Sequence, residues 1–182
     1  MTNSDFLDGE KIKLTSIDLE HDSQSIARWA RNSEYLRLMD SDPATMYSMK
    51  DVKEWHEKRV PEEYYFSIRK IEGDKLIGFI EIGAINWISR EGWIGVGIGE
   101  PDDWGRGYGS EALRLVMRYA FEVLNLNRLA LGVFEYNPRG RRAYEKVGFV
   151  YEGKQPESVR RNGRWWDTIY MGILRSEWEL TK

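Results

Sequence analysis

Three glycines at alternate positions, Gly105, Gly107 and Gly109, follow a proline break at Pro101 and precede a run that reads as a helix. Ahead of them, residues 92–99 are β-branched and glycine-rich, as in a strand. Strand, tight loop and helix start in that order aim several backbone N–H groups and the positive end of a helix dipole at one point. A phosphate or diphosphate is the natural occupant of such a point. The competing structural reading is that the glycines allow a turn and close strand packing and nothing more. No G-x-x-x-x-G-K-[ST] occurs, so the loop is not a P-loop. Nor is G-x-G-x-G the G-x-G-x-x-G of a dinucleotide fold, and the nearest acidic residue for a ribose, Glu135, comes late. A second polar set follows the next predicted strand: Asn137, then Tyr144 inside Ala143-Tyr144-Glu145-Lys146-Val147-Gly148-Phe149.

The elements that must position these groups can be read from periodicity. Strands are expected over residues 9–17, 64–71, 76–87, 92–99, 129–134, 149–152 and 165–174. Helices are expected over residues 18–39, from Ser48 to near Pro61, after the glycine loop to Val123, and over residues 137–147. Ser48 is a natural cap, and Gly148 a natural stop. Gly73 suits a turn between the second and third strands, and Asn162-Gly163 suits a hairpin before the last one. Strand, two helices, three strands, helix, strand, helix and two strands make an α/β arrangement around a mixed sheet.

The chain has 182 residues, 41% hydrophobic and 31% charged, which is the size and balance of one globular domain spanning residues 1–182. It has no apolar run long enough for a membrane span and no basic, apolar leader. Its net charge of −3 argues against nucleic acid as the main partner. With no cysteine, disulfides, thiolate metal sites and a cysteine acyl-enzyme are excluded, and a cytoplasmic location is the expectation. The two histidines, His21 and His56, are far apart, so no metal site is expected.

The order of loop, helix, strand, Asn137, helix, Tyr144 and Gly148-Phe149 resembles the GNAT N-acetyltransferases, over nearly the whole chain. Among their branches it is similar to the one holding ribosomal-protein and spermidine/spermine N-acetyltransferases. The local signs are Trp104-Gly105-Arg106-Gly107-Tyr108-Gly109, Glu111-Ala112-Leu113 and Tyr151-Glu152-Gly153. The resemblance implies a mixed, mostly antiparallel seven-stranded sheet flanked by about four helices and splayed between its fourth and fifth strands. It also implies acetyl-CoA as acyl donor, with no metal.

By that resemblance the donor's diphosphate lies on Trp104, Gly105, Arg106, Gly107, Tyr108, Gly109 and Ser110. Its pantetheine arm pairs with Ile98 and Gly99. Asn137 meets the arm's amides, although an Asn before Pro138 is also a good helix cap. Arg142 lies near the nucleotide end, with Arg139 and Arg141 beside it. Arg106 is equally an anion contact or a solvated side chain. Tyr144 is the implied proton donor to the leaving sulfur. A half-buried packing tyrosine is the alternative.

The acceptor is expected to be a primary amine, on a small molecule or a peptide N-terminus. An alkyl ammonium is neutral in only about one molecule in 2,500 at pH 7, so a base or a water chain must deprotonate it. Trp93 stands where the family often has a glutamate. Glu81 is the best remaining base, with Glu91, Glu100 and Glu135 behind it. The acceptor is expected between residues 29–55 and the last hairpin, residues 157–166. Ala84 stands where a spermidine enzyme would carry a second acid, which weakens the polyamine reading. A homodimer or larger homo-oligomer is implied without a fixed subunit number. A non-catalytic acyl-CoA-binding or sensing module of the same fold is the alternative function.

Overall fold

The computed structural model describes residues 6–58 and 64–180. Seven strands form one sheet in the order β1-β2-β3-β4-β5-β7-β6. They are β1 (Ile12–Thr15), β2 (Tyr64–Lys70), β3 (Leu76–Asn86), β4 (Glu91–Ile98), β5 (Arg128–Phe134), β6 (Val150–Arg161) and β7 (Arg164–Leu174). Every neighbouring pair is antiparallel except β4 and β5. That parallel pair meets only at Glu91–Arg128, Gly92–Leu129 and Trp93–Ala130. Beyond Trp93 the two strands diverge, as expected of a sheet splayed at this place.

Six α-helices occur among the described residues: α1 (Leu19–Trp29), α2 (Ser33–Met39), α3 (Met49–Glu57), α4 (Tyr108–Arg118), α5 (Pro138–Lys146) and α6 (Arg175–Glu179). The expectation of about four is corrected in two places. The single helix expected over residues 18–39 is two, because Asn32 takes an extended backbone and its side chain accepts the N–H groups of Glu34 and Tyr35, capping a new helix. The short α6 carries no long apolar period and escapes pattern reading. Its Trp178 packs on Phe121 with ring centroids 5.0 Å apart. The expected end of the third helix near Pro61 lies outside the described residues.

The sixth strand is longer than the expected residues 149–152. Register shifts after Tyr151 and after Gln155 interrupt the alternation on which pattern reading relies. Pro156 is tolerated there because β6 is an edge strand. The Asn162-Gly163 turn forms as expected, with both residues at positive φ.

The main core lies between one sheet face and α4, α5 and α6. Ile80, Ile82, Ile94, Leu129, Leu131, Val133, Ile169, Met171 and Ile173 pack there with Leu113, Val116, Met117, Val147, Phe149 and Trp178. On the other face α1 to α3 cover the first four strands. Trp29 lies over Gly99, Tyr35 and Met39 lie over Gly97, and His56 packs on Tyr65. No helix among the described residues is long and apolar enough to cross a membrane.

The start of α4 is held by its own motif. Glu111 Oε1 accepts the N–H groups of Glu10 and Lys11 at 2.6 and 2.9 Å, tying the chain entering β1 to the helix after the glycine loop. A side chain at Gly9 would strike this carboxylate, its Cβ lying 2.2 Å from Oε1. Replacing Glu111 with Ala leaves these donors without their charged acceptor. A loss of about 2 kcal/mol in urea unfolding is the expected result.

Candidate active site

A cavity of about 290 Å³ opens where β4 and β5 part. One wall is Val96, Gly97 and Ile98 of β4 with Tyr35, Leu38 and Met39 of α2. The other is Asn137, Arg139, Arg142, Ala143, Tyr144 and Lys146 of α5 and its cap. The floor is the glycine loop and the first turns of α4: Trp104, Gly105, Gly107, Tyr108, Gly109, Ser110 and Leu113. Both helices begin at the cavity because each follows a strand that ends at it.

The loop is built to leave donors open. Gly105 and Gly107 have φ of +72° and +89°, a region that costs a side-chain-bearing residue about 1–2 kcal/mol. Nothing lies within 4 Å of where a Cβ would stand on either. The N–H of Glu111 is the first to find the helical carbonyl, that of Gly107. The N–H groups of Gly105 through Ser110 meet no acceptor among the described residues, and no side chain caps α4. An anion at the mouth of this loop would find those donors and the helix dipole together.

The loop is also anchored. Asp103, 5% exposed, accepts from Lys70 Nζ at 2.6 Å and has Lys75 near its other oxygen. That hydrogen bond, more than the Coulomb attraction, pushes the Lys70 ammonium above its ordinary pKa. Trp104 donates its indole N–H to the Ile98 carbonyl at 2.6 Å. Arg139 of α5 lies over the same indole, 3.8 Å from the ring centroid. One tryptophan therefore bridges the wall of β4 to the wall of α5. Burial lowers the pKa of Arg139.

Ten of the expected site residues line this cavity: Ile98, Trp104, Gly105, Gly107, Tyr108, Gly109, Ser110, Asn137, Arg142 and Tyr144. Gly99 and Arg106 do not. Gly99 donates its N–H to Ile77 and lies under Trp29, whose ring would be 2.0 Å from a Cβ, so packing is what demands glycine there. Arg106 is exposed outside the lining. Asn137 Oδ1 accepts from Gly140 N–H at 2.9 Å as the cap of α5. Its Nδ2 is the group it can offer to an occupant. Arg141 turns outward to Glu145.

Tyr144 is 9% exposed, and burial pushes its phenol pKa up to about 12. Glu81 lies outside the cavity lining, on the face covered by α1 to α3. It stands opposite Gly95, whose Cβ would come 2.9 Å from its Oε1. Gly95 lies two residues past the last β4–β5 pair, so this carboxylate sits at the head of the splay. The further carboxylates weighed as bases have these partners. Glu91 pairs with Arg128 at 2.6 Å, Glu100 with Arg28 and the Trp29 indole, and Glu135 accepts the Asp167 N–H.

The acceptor was expected between residues 29–55, which include α2, and the last hairpin, but the contacts that hold the α2 wall were not foreseen. Tyr136 donates its hydroxyl to the Arg37 carbonyl at 2.8 Å. Arg161, at the end of β6, donates to the carbonyls of Asp40, Ser41 and Asp42 at 3.2, 2.6 and 2.8 Å. These residues lie about a hundred positions apart or more, and no local pattern signals the contact. Among the described residues no three His, Asp or Glu side chains are grouped to hold a metal.

A family model described as an acetyltransferase (GNAT) domain matches residues 11–150. The chain is 29% identical over 178 residues to a Bacillus subtilis protein named "Probable N-acetyltransferase YjcK", covering 94% of this chain and 98% of the other. It is 36% identical over 103 residues to the spermidine N(1)-acetyltransferase of Vibrio cholerae, 57% of this chain and 59% of that one. A crystal structure of spermidine N-acetyltransferase from Vibrio cholerae in complex with CoA and spermine superposes with a TM-score of 0.83. That match has 26% identity and covers 94% of this chain and 99% of the other.

The Tyr144 phenol has a measurable signature. Its pKa of about 12 stands above the ordinary 10.0, so an unfolded chain ionises this group first as pH rises. Stability from the neutral phenol is whole below about 10 and is lost between about 10 and 12. Absorbance titration at alkaline pH should show one late-ionising tyrosine fewer in Tyr144→Phe, in the range where the protein is still folded.

Proposed function

The chain belongs to the acetyltransferase (GNAT) family of N-acetyltransferases, and on that premise we propose that it moves the acetyl group of acetyl-CoA directly to a primary amine. The observation that carries this reading is the row of open N–H donors from Gly105 through Ser110, at the floor of a cavity that Asn137 and Tyr144 also line. The residues present fit the donor. The loop amides and the α4 dipole would take its diphosphate, with glycine keeping the approach clear. Asn137 Nδ2 and the walls of β4 and α5 would hold its arm. Arg142, Arg139 and Lys146 would face its nucleotide end.

The amine nitrogen attacks the thioester carbonyl, the C–S bond breaks, and one proton leaves nitrogen as one is taken up by sulfur. Glu81 is the base we assign to the incoming ammonium, acting at the head of the splay. Tyr144 serves the sulfur. A phenol near 12 is a weaker acid than a thiol of about 8.5, so full transfer to a free thiolate is uphill by about 5 kcal/mol. Tyr144 therefore works by donating a hydrogen bond as charge builds on sulfur, and the proton released by the amine completes the balance.

The test is steady-state kinetics with acetyl-CoA and a panel of amines. Tyr144→Phe should lower kcat about 100-fold while the KM for acetyl-CoA stays within about twofold. Glu81→Gln should lower kcat/KM for the amine near pH 7 and regain part of it as pH rises and more free amine is present. An unchanged kcat in Tyr144→Phe removes the role given to that phenol. Tight acetyl-CoA binding with no amine acetylated would favour a binding module instead.

A further inference from the structure

On the cavity wall made by α2 and β4, Tyr35 is the one lining side chain that can donate a hydrogen bond. The rest of that wall is Leu38, Met39, Val96, Gly97 and Ile98. Tyr35 is 8% exposed, and its hydroxyl has no hydrogen-bond partner among the described residues. Burial alone pushes its phenol pKa up. The oxygen is not sealed away, as the unpartnered Thr15 Oγ1 is. It lies over Gly97, where a Cβ would stand 3.1 Å from it, and both residues line the cavity. The glycine leaves room for the hydroxyl above β4.

Everything else about this side chain is fixed. Tyr35 sits in the first turn of α2, and its N–H is donated to Asn32 Oδ1 at 3.3 Å. Trp29 flanks the ring, centroids 6.3 Å apart at 57°. Farther along the same helix, the Arg37 carbonyl takes the Tyr136 hydroxyl. Helix and ring are held, and the hydroxyl is left uncommitted. A buried donor without an acceptor costs stability, and a bound molecule that supplies the acceptor recovers it.

The reaction has one atom still without a donor. The loop amides are assigned to the diphosphate, Asn137 to the arm, Tyr144 to the sulfur and Glu81 to the ammonium. The thioester oxygen, which gains negative charge as the amine attacks, has none. Tyr144 lines the cavity from the α5 wall and Tyr35 from the wall across it. A thioester between them shows its sulfur to one phenol and its oxygen to the other. We propose that the Tyr35 hydroxyl donates a hydrogen bond to the thioester carbonyl oxygen and holds the oxyanion of the transition state. This rests on the acetyltransferase reading and adds a catalytic group to it. The nitrogen lone pair forms the C–N bond as the C=O pair moves onto oxygen. That pair returns as the C–S bond breaks, and Tyr35 keeps its proton throughout. A donor aimed in advance, in a shielded site, is worth more than the same donor in water.

Tyr35→Phe keeps the ring and deletes only the donor. Acetyl-CoA with an isotope-labelled carbonyl is bound, and its carbonyl stretch is read by infrared difference spectroscopy. In wild type the stretch should lie below that of free acetyl-CoA. Tyr35→Phe should lose most of this shift, and Tyr144→Phe should keep it. Tyr35→Phe should also lower kcat about 100-fold. The Kd of CoA, which has no thioester oxygen, should stay within about twofold. Without ligand the variant should melt no lower than wild type, because the hydroxyl it loses has no partner. A lower melting temperature with the carbonyl shift intact shows a packing role and overturns the proposal. CoA binding weakened tenfold assigns the hydroxyl to the arm and overturns it too. If amines are acetylated and Tyr35→Phe changes neither kcat nor the shift, the proposal falls and acetyl transfer stands. A Tyr35-dependent shift with no amine acetylated keeps the contact and removes the transfer reading.

Discussion

β4 and β5 run parallel for three residue pairs and then separate, and the site exists because of that separation. A continuous ladder would fill the gap with backbone hydrogen bonds and leave no cavity. The divergence instead gives each strand its own exit, and each exit leads on to a helix N-terminus, from β4 by way of the glycine loop. α4 begins after β4, and α5 begins after β5. Two helix starts thus face a common gap, one with its first amides open and one capped by Asn137.

A gap in a sheet needs to be held open, and the contacts around it do so from several directions. Trp104 spans it, bonded to the β4 carbonyl of Ile98 and stacked under Arg139 of α5. Asp103 is fixed from below by Lys70. Glu111 ties the start of α4 to the chain entering β1. Arg161 and Tyr136 reach from the far half of the sheet to hold the end of α2 and the loop after it. The cradle amides can stay unpaired because side chains, and not those amides, carry the anchoring.

The uneven cover of the sheet divides the chemistry in two. The face under α4 and α5 is closed by the main core. The opposite face is covered by α1 to α3 over the first strands, and Trp93 of β4 and Gly132 of β5 are exposed on it. Glu81, one strand away, keeps a carboxylate at the head of the splay.

Local residue chemistry was enough to read the sheet's strands except most of β6, together with the Asn162-Gly163 turn, the α4 period and the glycine loop, because each rests on neighbours within a few positions. The GNAT resemblance came from the same short-range spacing, through Asn137 and Tyr144. Ten of the cavity-lining residues were legible in this way, and Gly99 was not, since its glycine answers to Trp29, seventy residues earlier. The break at Asn32 was also local, yet an apolar period running through it hid the cap. Only the folded chain decided which partners Glu91, Glu100 and Glu135 have, that Arg161 grips residues 40–42, and where α1 to α3 leave the sheet exposed. Strand alternation tells a residue that it has a face. Which face is covered depends on where distant helices pack, and no run of neighbours encodes that.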